Sequence, residues 1–373
     1  MSTKSINYGL IFRFSMLFFS LLFMWFFPHI IVYVFLAFIL ALMGKPIAKT
    51  MSKIKLFKRN IPYSITSVLT ITFFLVVLIA SILVFVPVFI QEIRIIENIN
   101  YDTLSENLTP FLNDIQCFLH ENDIMESQDT IVGLMMNEIK DVVSVKMFSN
   151  LLGGMMSATG SFVFGFFTVF FLAFFFIRDD FKLENILKVF ADKKHHYRIS
   201  AVSGKIDMLV SRYFLGTMLR IAITIVLLYV GLLLFGIRGA LFLGFLGGLL
   251  NIIPYLGPVI GIIIACIFGF VDCLSAEMYS DIFTVQLKIV GVFVAANALD
   301  AVILQPYIYS QSVKIHPVEV FLVTIVGGNM AGIAGMIFAI PVYTMLRVAI
   351  LEIYNYVNTN RELIKTINDD ANS

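Results

Sequence analysis

Charged side chains are scarce in this sequence. Asp, Glu, Lys and Arg make up 14% of its 373 residues and hydrophobic residues 59%, with 38 Phe among them, and the mean hydropathy is +0.93. A soluble globular domain carries roughly 25% charged residues. The composition therefore excludes that class and indicates a polytopic membrane protein that lies in the lipid bilayer. No nucleic-acid partner is expected.

Cysteine is almost absent too. Of the three cysteines, Cys266 and Cys273 lie in or beside an apolar segment, and Cys117 stands alone in a polar region. This pattern indicates neither a disulfide framework nor a thiolate metal site. We expect no metal and no cofactor.

Catalytic motifs are missing as well. The sequence has no HExxH motif and no paired aspartates in its apolar segments, and the stretch "HENDI" at 120 lacks a second histidine. A membrane enzyme would need such a metal cluster, or a nucleophile with its base, at membrane depth. The sequence therefore predicts a protein that is not an enzyme.

Long apolar runs dominate what is present, and about 20 apolar residues cross a bilayer as a helix. We predict an all-α membrane protein with about eight membrane segments. The first apolar run reaches Phe27 without a small-residue cleavage site and is expected to stay as an anchor. The predicted regions are N-terminal helices in 1–91 (at 9–27, 30–44 and 61–91), a small acidic helical insert at 92–152, a fourth helix at 153–177, amphipathic helices at 178–212, a membrane core at 213–352 and a tail at 353–373.

The distribution of Lys and Arg predicts the orientation. The linker 45–60 holds six basic and no acidic side chains, and 178–212 holds eight basic against five acidic ones. Basic loops stay in the cytoplasm, so both termini are expected there and the acidic insert outside. The stretch 178–212 either lies on the inner membrane surface or forms a solvated cytoplasmic linker.

The stretch "NIIPYLGPVIG" (251–261) interrupts the uncharged run 239–271 with Pro254 and Gly257. Each half of the run has about 14 residues, too few to span comfortably. The following loop, 272–283, is acidic and lacks Lys and Arg, so it reads as external. We therefore predict a re-entrant hairpin with its tip at this stretch.

A second broken segment covers 317–348, where Gly327, Gly328, Asn329 and Pro341 interrupt the apolar run. It is expected to enter and leave from the inner side. Paired broken helices that open from opposite faces present backbone groups to a solute near the midplane. The alternative is close helix packing through glycine, which needs no solute.

Polar residues also mark the apolar span between the two hairpins. Asn297, Asp300 and Leu304 follow i, i+3, i+7 spacing and share a helical face, and Gln305 and Pro306 close the helix. A carboxylate there would carry a proton or a cation if it faces a cavity. The alternative is that Asp300 lies at the inner interface and caps a neighbouring helix.

Three basic residues also lie in apolar segments. Lys288 is about 18 Å from Asp300 along the helix and cannot pair with it. Arg13 and Arg220 are interpreted as snorkelling side chains or counter-charges rather than ligands. The candidate solute and ion pathway comprises Asn251, Pro254, Tyr255, Gly257, Asn297, Asp300, Gln305, Pro306, Gly327, Gly328, Asn329 and Pro341.

Four ordered motifs, "NIIPYLGPVIG", "LDAVILQP", "SVKIHP" and "GGNMAGIAGMIFAIP", resemble the signature of the autoinducer-2 exporter family of bacterial membrane proteins. The resemblance implies about eight membrane segments, an inner-membrane location, a homo-oligomer with a pentamer among the options, and export of small solutes. Members are linked to a furanone signal or to sodium/proton exchange. Ala301-Val302 stand where members often have Asn-Asn, and Ser310-Gln311 where they have Gly-Arg.

These observations together predict an ion-coupled secondary exporter of a small solute, such as an autoinducer-2-like signal or another metabolite. A sodium/proton antiporter is the first alternative. A channel is the second, because re-entrant hairpins also line pores. A scaffold that transports nothing and binds a partner through the acidic insert is the third.

The predicted orientation can be tested by cysteine labelling in a cysteine-free background. Ser275→Cys lies in the external loop region and should react with an impermeant thiol reagent added outside intact cells. Ser52→Cys lies in the basic linker and should react only after the membrane is opened. Labelling in the reverse order would contradict the re-entrant arrangement.

Overall fold

The computed structural model describes residues 26–56, 59–97, 159–190, 193–276, 281–306 and 316–371, together with Leu22 and Met278. The predicted first span at 9–27 lies almost entirely outside these residues. The predicted acidic insert lies outside them from residue 98 onward, and so does most of the "SVKIHP" motif.

The described chain is helical apart from one short β-ladder, which confirms the all-α membrane fold. β1 and β2 pair antiparallel within the basic linker, Lys55 opposite Asn60 and Leu56 opposite Arg59. The elements are α1 (Pro28–Ser52), β1 (Lys55–Leu56), β2 (Arg59–Asn60), α2 (Tyr63–Glu97), α3 (Thr159–Arg178), α4 (Leu183–Phe190), a 3₁₀ turn (Lys193–His195), α5 (His196–Leu234), α6 (Ala240–Leu250), α7 (Leu256–Ser275), α8 (Ile282–Leu299), a π turn (Asp300–Leu304) and α9 (Pro317–Ala371).

Six of the described helices are long and apolar enough to cross a membrane. They cover His29–Ser52, Tyr63–Glu92, His196–Leu234, Leu256–Ser275, Ile282–Leu304 and Pro317–Glu352. Two shorter apolar helices cover Val163–Arg178 and Ala240–Leu250. Many large apolar side chains on these helices are exposed, for example Leu83 and Phe164. Such an apolar surface is stable in contact with lipid. The helices also satisfy their backbone hydrogen bonds internally, as a membrane requires.

The chain forms two compact units whose segments alternate along the sequence. The first unit draws on 1–76, 160–215 and 338–373, and the second on 77–159 and 216–337. The predicted division of the chain into regions stays a prediction. α5 is continuous through 212–213, the predicted border between the amphipathic helices and the membrane core.

In the first unit, α1 packs closely against α3. A Cβ placed on Gly44 would lie 2.5 Å from Ile177 Cδ1, so the two helices approach as closely as glycine allows. One residue further on, Lys45 is only 8% exposed. Its Nζ lies 3.3 Å from Asp180 Oδ1 and donates a hydrogen bond to the Phe181 carbonyl oxygen. The buried ammonium group thus ties α1 to the turn after α3.

The core of the second unit lies between α5, α6, α7 and α8, with two rings from α2. Phe85 and Phe89 each lie 5.8 Å from the ring of Phe242, centroid to centroid. The buried residues of this core are Leu228, Leu232, Ile237, Ala240, Phe242, Leu243, Ala265, Ile289, Val292, Phe293 and Ala296.

Glycines on α6 set how closely it packs against its neighbours. A Cβ on Gly244 would lie 2.7 Å from the backbone nitrogen of Tyr229, and one on Gly248 would lie 2.8 Å from that of Ile225. Residues four apart share a helical face, so this pair brings α6 almost to backbone contact with α5. At these positions the predicted alternative, helix packing through glycine, is what the structure contains.

The buried Lys45 gives a stability prediction. Lys45→Met should lower the unfolding midpoint in detergent by about 2–4 °C, because the Phe181 carbonyl loses its donor and Asp180 loses the nearer of its two lysines, keeping Lys182 at 3.8 Å. Lys49→Met is the matched control, since Lys49 is exposed near the end of the same helix. Equal midpoints for the two variants would show that the buried contacts contribute nothing to stability.

Candidate functional site

The break between α6 and α7 is confirmed, and it is a tight turn at 251–255. Asn251 follows the last residue of α6, and Tyr255 precedes α7 with φ 62° and ψ −48°. The N–H of Leu256 donates to the Pro254 carbonyl oxygen at 2.7 Å, which closes a γ-turn around Tyr255. A tyrosine with positive φ is strained, so the surrounding packing must hold the turn in this shape.

The role of Gly257 differs from the predicted one. From the sequence, Pro254 and Gly257 are expected to hold unwound backbone at the hairpin tip, because proline removes a helix donor and glycine tolerates left-handed conformations. Gly257 is instead helical, within α7. A Cβ there would overlap the Leu250 carbonyl oxygen. Glycine is therefore required by close approach of the α6 terminus, and the strained conformation falls on Tyr255.

The two halves of this hairpin are unequal, whereas about 14 residues were predicted for each. α6 has 11 residues, roughly 16 Å of helix, and α7 has 20, about 30 Å. α6 is too short to cross a bilayer and α7 is long enough. The end of α6 at Asn251 is consequently a helix terminus within the packed core, since Asn251 is 1% exposed.

The second predicted break is also confirmed. α9 is interrupted at Ala331 (φ −145°, ψ 25°) and Gly332 (φ 59°, ψ −141°). A Cβ on Gly335 would overlap the Gly327 carbonyl oxygen. Residues eight apart in a straight helix are about 12 Å apart, so the chain doubles back here as a hairpin.

Other predicted residues of this segment make local contacts. Gly328 faces Met336, whose Cε lies 2.6 Å from a Cβ built on the glycine. Asn329 is exposed and donates to the Ile325 carbonyl oxygen of its own helix at 3.2 Å. Pro341 is buried in the first unit.

A buried ion pair occupies the second unit at the end of α6. Arg220 of α5 is 5% exposed and Asp300 of the π turn is 2% exposed. Arg220 Nε lies 3.4 Å from Asp300 Oδ1, and Arg220 Nη2 donates to the Asn251 carbonyl oxygen at 2.5 Å. The guanidinium thus meets a carboxylate and the negative end of the α6 dipole together.

Three amide side chains complete this cluster. Asn251 Nδ2 donates to Asn297 Oδ1 at 3.2 Å, and Asn297 Nδ2 donates to the Phe293 carbonyl oxygen at 2.8 Å. Gln305 Nε2 donates to Asp300 Oδ2 at 3.0 Å. Among the described residues, the buried Asn251 Oδ1 receives no hydrogen bond. We call Arg220, Asn251, Asn297, Asp300 and Gln305 the polar cluster.

The π turn decides which side chain joins Asp300. The N–H of Gln305 donates to the Asp300 carbonyl oxygen, five residues back rather than four. This wider turn rotates Gln305 onto the face of Asp300, where α-helical spacing predicted Leu304. Pro306 follows and is exposed. π turns inside helices are frequent at functional sites.

Sequence reasoning interpreted Arg220 as a snorkelling side chain or a counter-charge, and the structure shows the counter-charge. An arginine deep in a predicted span must find a partner, and this signal was present. The partner could not be read from the sequence, because Arg220 and Asp300 lie on separate helices. The Asp300 carboxylate receives no backbone N–H bond from a described residue, so it does not cap a helix N-terminus there.

A second polar feature of this unit was not predicted. A cavity of about 710 Å³ lies where α2, α5, α6 and α7 meet, at the opposite end of α7 from Asn251. Glu92, Arg238 and Asp272 are its charged lining residues. It contains both signs of charge and is open to polar solutes.

Comparison with known proteins identifies relatives of this chain. A family model described as "AI-2E family transporter" matches residues 14–355. The chain is 30% identical over 184 residues to YrrI of Bacillus subtilis, a provisionally named transport protein. The aligned region covers 49% of this chain and 50% of YrrI. It is 27% identical over 190 residues to YueF of the same organism, covering 51% and 49%. PerM of Escherichia coli, a provisionally named permease, is 33% identical over 60 residues, covering 16% and 17%. The chain thus spans about half the length of YrrI and YueF.

The close contact at Gly257 gives a prediction for the turn. Gly257→Ala should destabilise the protein by about 1–3 kcal/mol, because the new methyl group displaces the Leu250 carbonyl. Thermal unfolding in detergent measures this. Gly291→Ala is the control, since a Cβ on Gly291 meets nothing within 4 Å. Equal stability of the two variants would contradict a turn closed by backbone contact.

Proposed function

The chain belongs to the AI-2E transporter family, and we propose that it is a secondary transporter that exports a small solute by coupling its movement to an ion. The solute class is an autoinducer-2-like signal or another small metabolite. We place the protein in the bacterial inner membrane with both termini in the cytoplasm, as a homo-oligomer for which a pentamer is one option. The proposal includes no enzymatic step and no cofactor.

The buried Arg220–Asp300 pair is the observation that supports this proposal. Charged side chains inside membrane helices are costly and are found mainly in ion and substrate pathways. Replacing a buried ion pair by apolar residues of similar volume is often neutral or stabilising. A pair that gives little stability at such a depth is therefore best explained by a role in transport.

Asp300 is the proposed coupling residue. The guanidinium of Arg220 stays protonated at any pH the cell reaches, whereas a carboxylate can gain and lose a proton. Binding of the driving ion to Asp300 weakens its attraction to Arg220. Because Arg220 also holds the end of α6, this change reaches the turn between α6 and α7.

The backbone around the polar cluster suits a change of shape. The γ-turn at Tyr255 and the π turn after Asp300 both depart from regular helix, next to the end of α6. Broken helices at the binding site are what transporters use to coordinate solutes and to alternate access. We propose Asn251 and Asn297 as neutral ligands for solute or ion, with Pro254, Tyr255 and Gly257 shaping the turn and Gln305 and Pro306 closing the site.

The hairpin in α9 is the proposed inner part of the pathway. Its two arms pack closely where Gly335 meets the Gly327 carbonyl oxygen and Gly328 meets Met336. Asn329 and Pro341 keep their place in the proposed pathway on sequence grounds alone. Tyr255 offers a route of communication, since its ring lies 6.2 Å from that of Phe321 in the first arm.

A sodium/proton antiporter is the second candidate function. One observation favours it: the Asp300 carboxylate and the amide oxygen of Asn251, which accepts no hydrogen bond from a described residue, are oxygen ligands of the kind that alkali cations prefer. In that case sodium and the proton would compete for Asp300.

The experiment compares wild type with Asp300→Asn in proteoliposomes, using autoinducer-2 and a set of small metabolites under imposed proton or sodium gradients. Asp300→Asn keeps the shape and hydrogen-bonding capacity but removes the titration. Gradient-driven transport should fall at least about tenfold, while solute binding survives. Asp281→Asn is the matched control, because Asp281 is exposed at the start of the same helix.

Other outcomes would contradict the proposal in distinct ways. Normal gradient-driven transport by Asp300→Asn would move the coupling site elsewhere. Passive flux that ignores both gradients would identify a channel. Sodium/proton exchange without solute movement would favour the antiporter, and the absence of any flux would favour a scaffold.

A further inference from the structure

The polar cluster has two charge states, and Arg220 determines both of them. When Asp300 is ionised the pair is neutral. When Asp300 is protonated the cluster carries one positive charge, because the guanidinium cannot lose its proton. A net charge in a buried site within a membrane protein is unfavourable unless a counter-ion joins it.

We propose that Arg220 binds the transported solute, that this solute is a small carboxylate or phosphate monoanion, and that it binds together with a proton on Asp300. The inference rests on the transport function proposed above and names its substrate class. In this scheme the solute anion replaces the Asp300 carboxylate as the partner of the guanidinium. Both the empty site and the loaded site are then neutral.

The geometry of Arg220 suits this exchange. Its Nη2 is held by the Asn251 carbonyl oxygen at 2.5 Å, which keeps the guanidinium in place whatever the state of Asp300. Its Nε faces Asp300 Oδ1 at 3.4 Å, longer than the usual 2.7–2.9 Å of a charge-assisted hydrogen bond. The contact to Asp300 that must be given up is therefore longer than the hydrogen bond to Asn251 that is kept.

Asp300 keeps a partner when it is protonated. Gln305 Nε2 donates to Asp300 Oδ2 at 3.0 Å, and a carboxylic acid still accepts at that oxygen while carrying its proton on Oδ1. Asp300 Oδ1, like Asn251 Oδ1, is buried and receives no hydrogen bond from the described residues. The proton thus has a defined position on the side that faces Arg220.

The amide oxygen of Asn251 adds a second requirement for the solute. Nδ2 of Asn251 already donates a hydrogen bond to Asn297 Oδ1, so the side chain cannot turn to offer a donor without losing that bond. A buried acceptor calls for a donor. The site is thus suited to an anion that also carries a hydroxyl or N–H group.

The charged residues around Asp300 restrict the proton coupling to the Arg220–Asp300 pair. Arg220 of α5 is the charged side chain that faces it from the described part of the chain, and the packed neighbours on α6 and α8 present Asn251 and Asn297. The charged residues elsewhere on α7 and α8 are Asp272 and Lys288, towards the opposite ends of those helices.

The charge balance predicts the stoichiometry of transport. One proton and one monoanion move together in the same direction, so transport is electroneutral and the undissociated acid is carried overall. Because the proton moves with the anion, export by this route is driven by the outward gradient of the acid, and a proton gradient drives export only where it also points outward. A cationic solute is disfavoured, since it would add a positive charge beside Arg220.

Formate binding to the purified full-length chain tests the inference without knowledge of the natural solute. Formate is the smallest carboxylate, and it stays ionised between about pH 5.5 and 8. Wild type, Asp300→Asn and the double variant Arg220→Gln/Asp300→Asn are titrated with sodium formate, and the thermal unfolding midpoint is followed. The double variant has the same amides but no charge, so it corrects for formate bound elsewhere.

We expect formate to stabilise Asp300→Asn at concentrations about tenfold lower than those needed for the double variant, because only the single variant keeps the Arg220 guanidinium while lacking the Asp300 carboxylate. Wild type should bind formate weakly at pH 8 and progressively better as the pH falls, with about one proton taken up per formate. The wild-type titration needs no substitution and keeps the test valid if a variant fails to fold.

Equal formate binding by the single and double variants would overturn the assignment of Arg220 as the anion ligand. Wild-type binding that does not depend on pH would overturn the coupling to Asp300. If formate binds as expected and no solute crosses proteoliposomes, the anion site stands and the proposed transport function fails. If Arg220→Gln still transports a neutral or cationic metabolite, the proposed transport function holds and the anion site is wrong.

Discussion

The geometry of the second unit depends on the contacts that the Arg220 guanidinium makes. It joins α5 to the end of α6 through the Asn251 carbonyl oxygen and to the π turn through Asp300. A charge inside an apolar core requires partners on every side it presents. The position of α6, the point where it stops and the widening of the helix after Leu299 are thereby linked to one side chain.

Glycine packing makes that contact reachable. Gly244 and Gly248 bring α6 close to the backbone of α5, and Gly257 lets α7 begin directly beside the Leu250 carbonyl. With larger residues at these positions the end of α6 would lie farther from Arg220. The two interpretations of the glycines, close packing and a polar site, are therefore compatible here, because the packing positions the polar side chains.

Strain and polarity coincide at the same place. Tyr255 adopts a positive φ, and Asp300 starts a turn with five-residue hydrogen bonding. Neither is favoured by the local sequence alone, and both must be stabilised by the surrounding core. Strained backbone of this kind clusters at functional and switch sites, which fits the transport role proposed for the polar cluster.

Local patterns in the sequence were sufficient for the membrane class, the helical fold and both breaks. Hydropathy reports burial in lipid directly, and proline and glycine act on the backbone where they stand, so these features require no knowledge of distant residues. Tertiary packing alone decided that Arg220 pairs with Asp300, that Gln305 rather than Leu304 joins it, and that Tyr255 rather than Gly257 takes the strained conformation. It also decided that Asn329 is exposed and donates a hydrogen bond within its own helix. Each of these depends on which helices meet and how closely, and periodicity along one helix carries no information about the side chain that arrives from another.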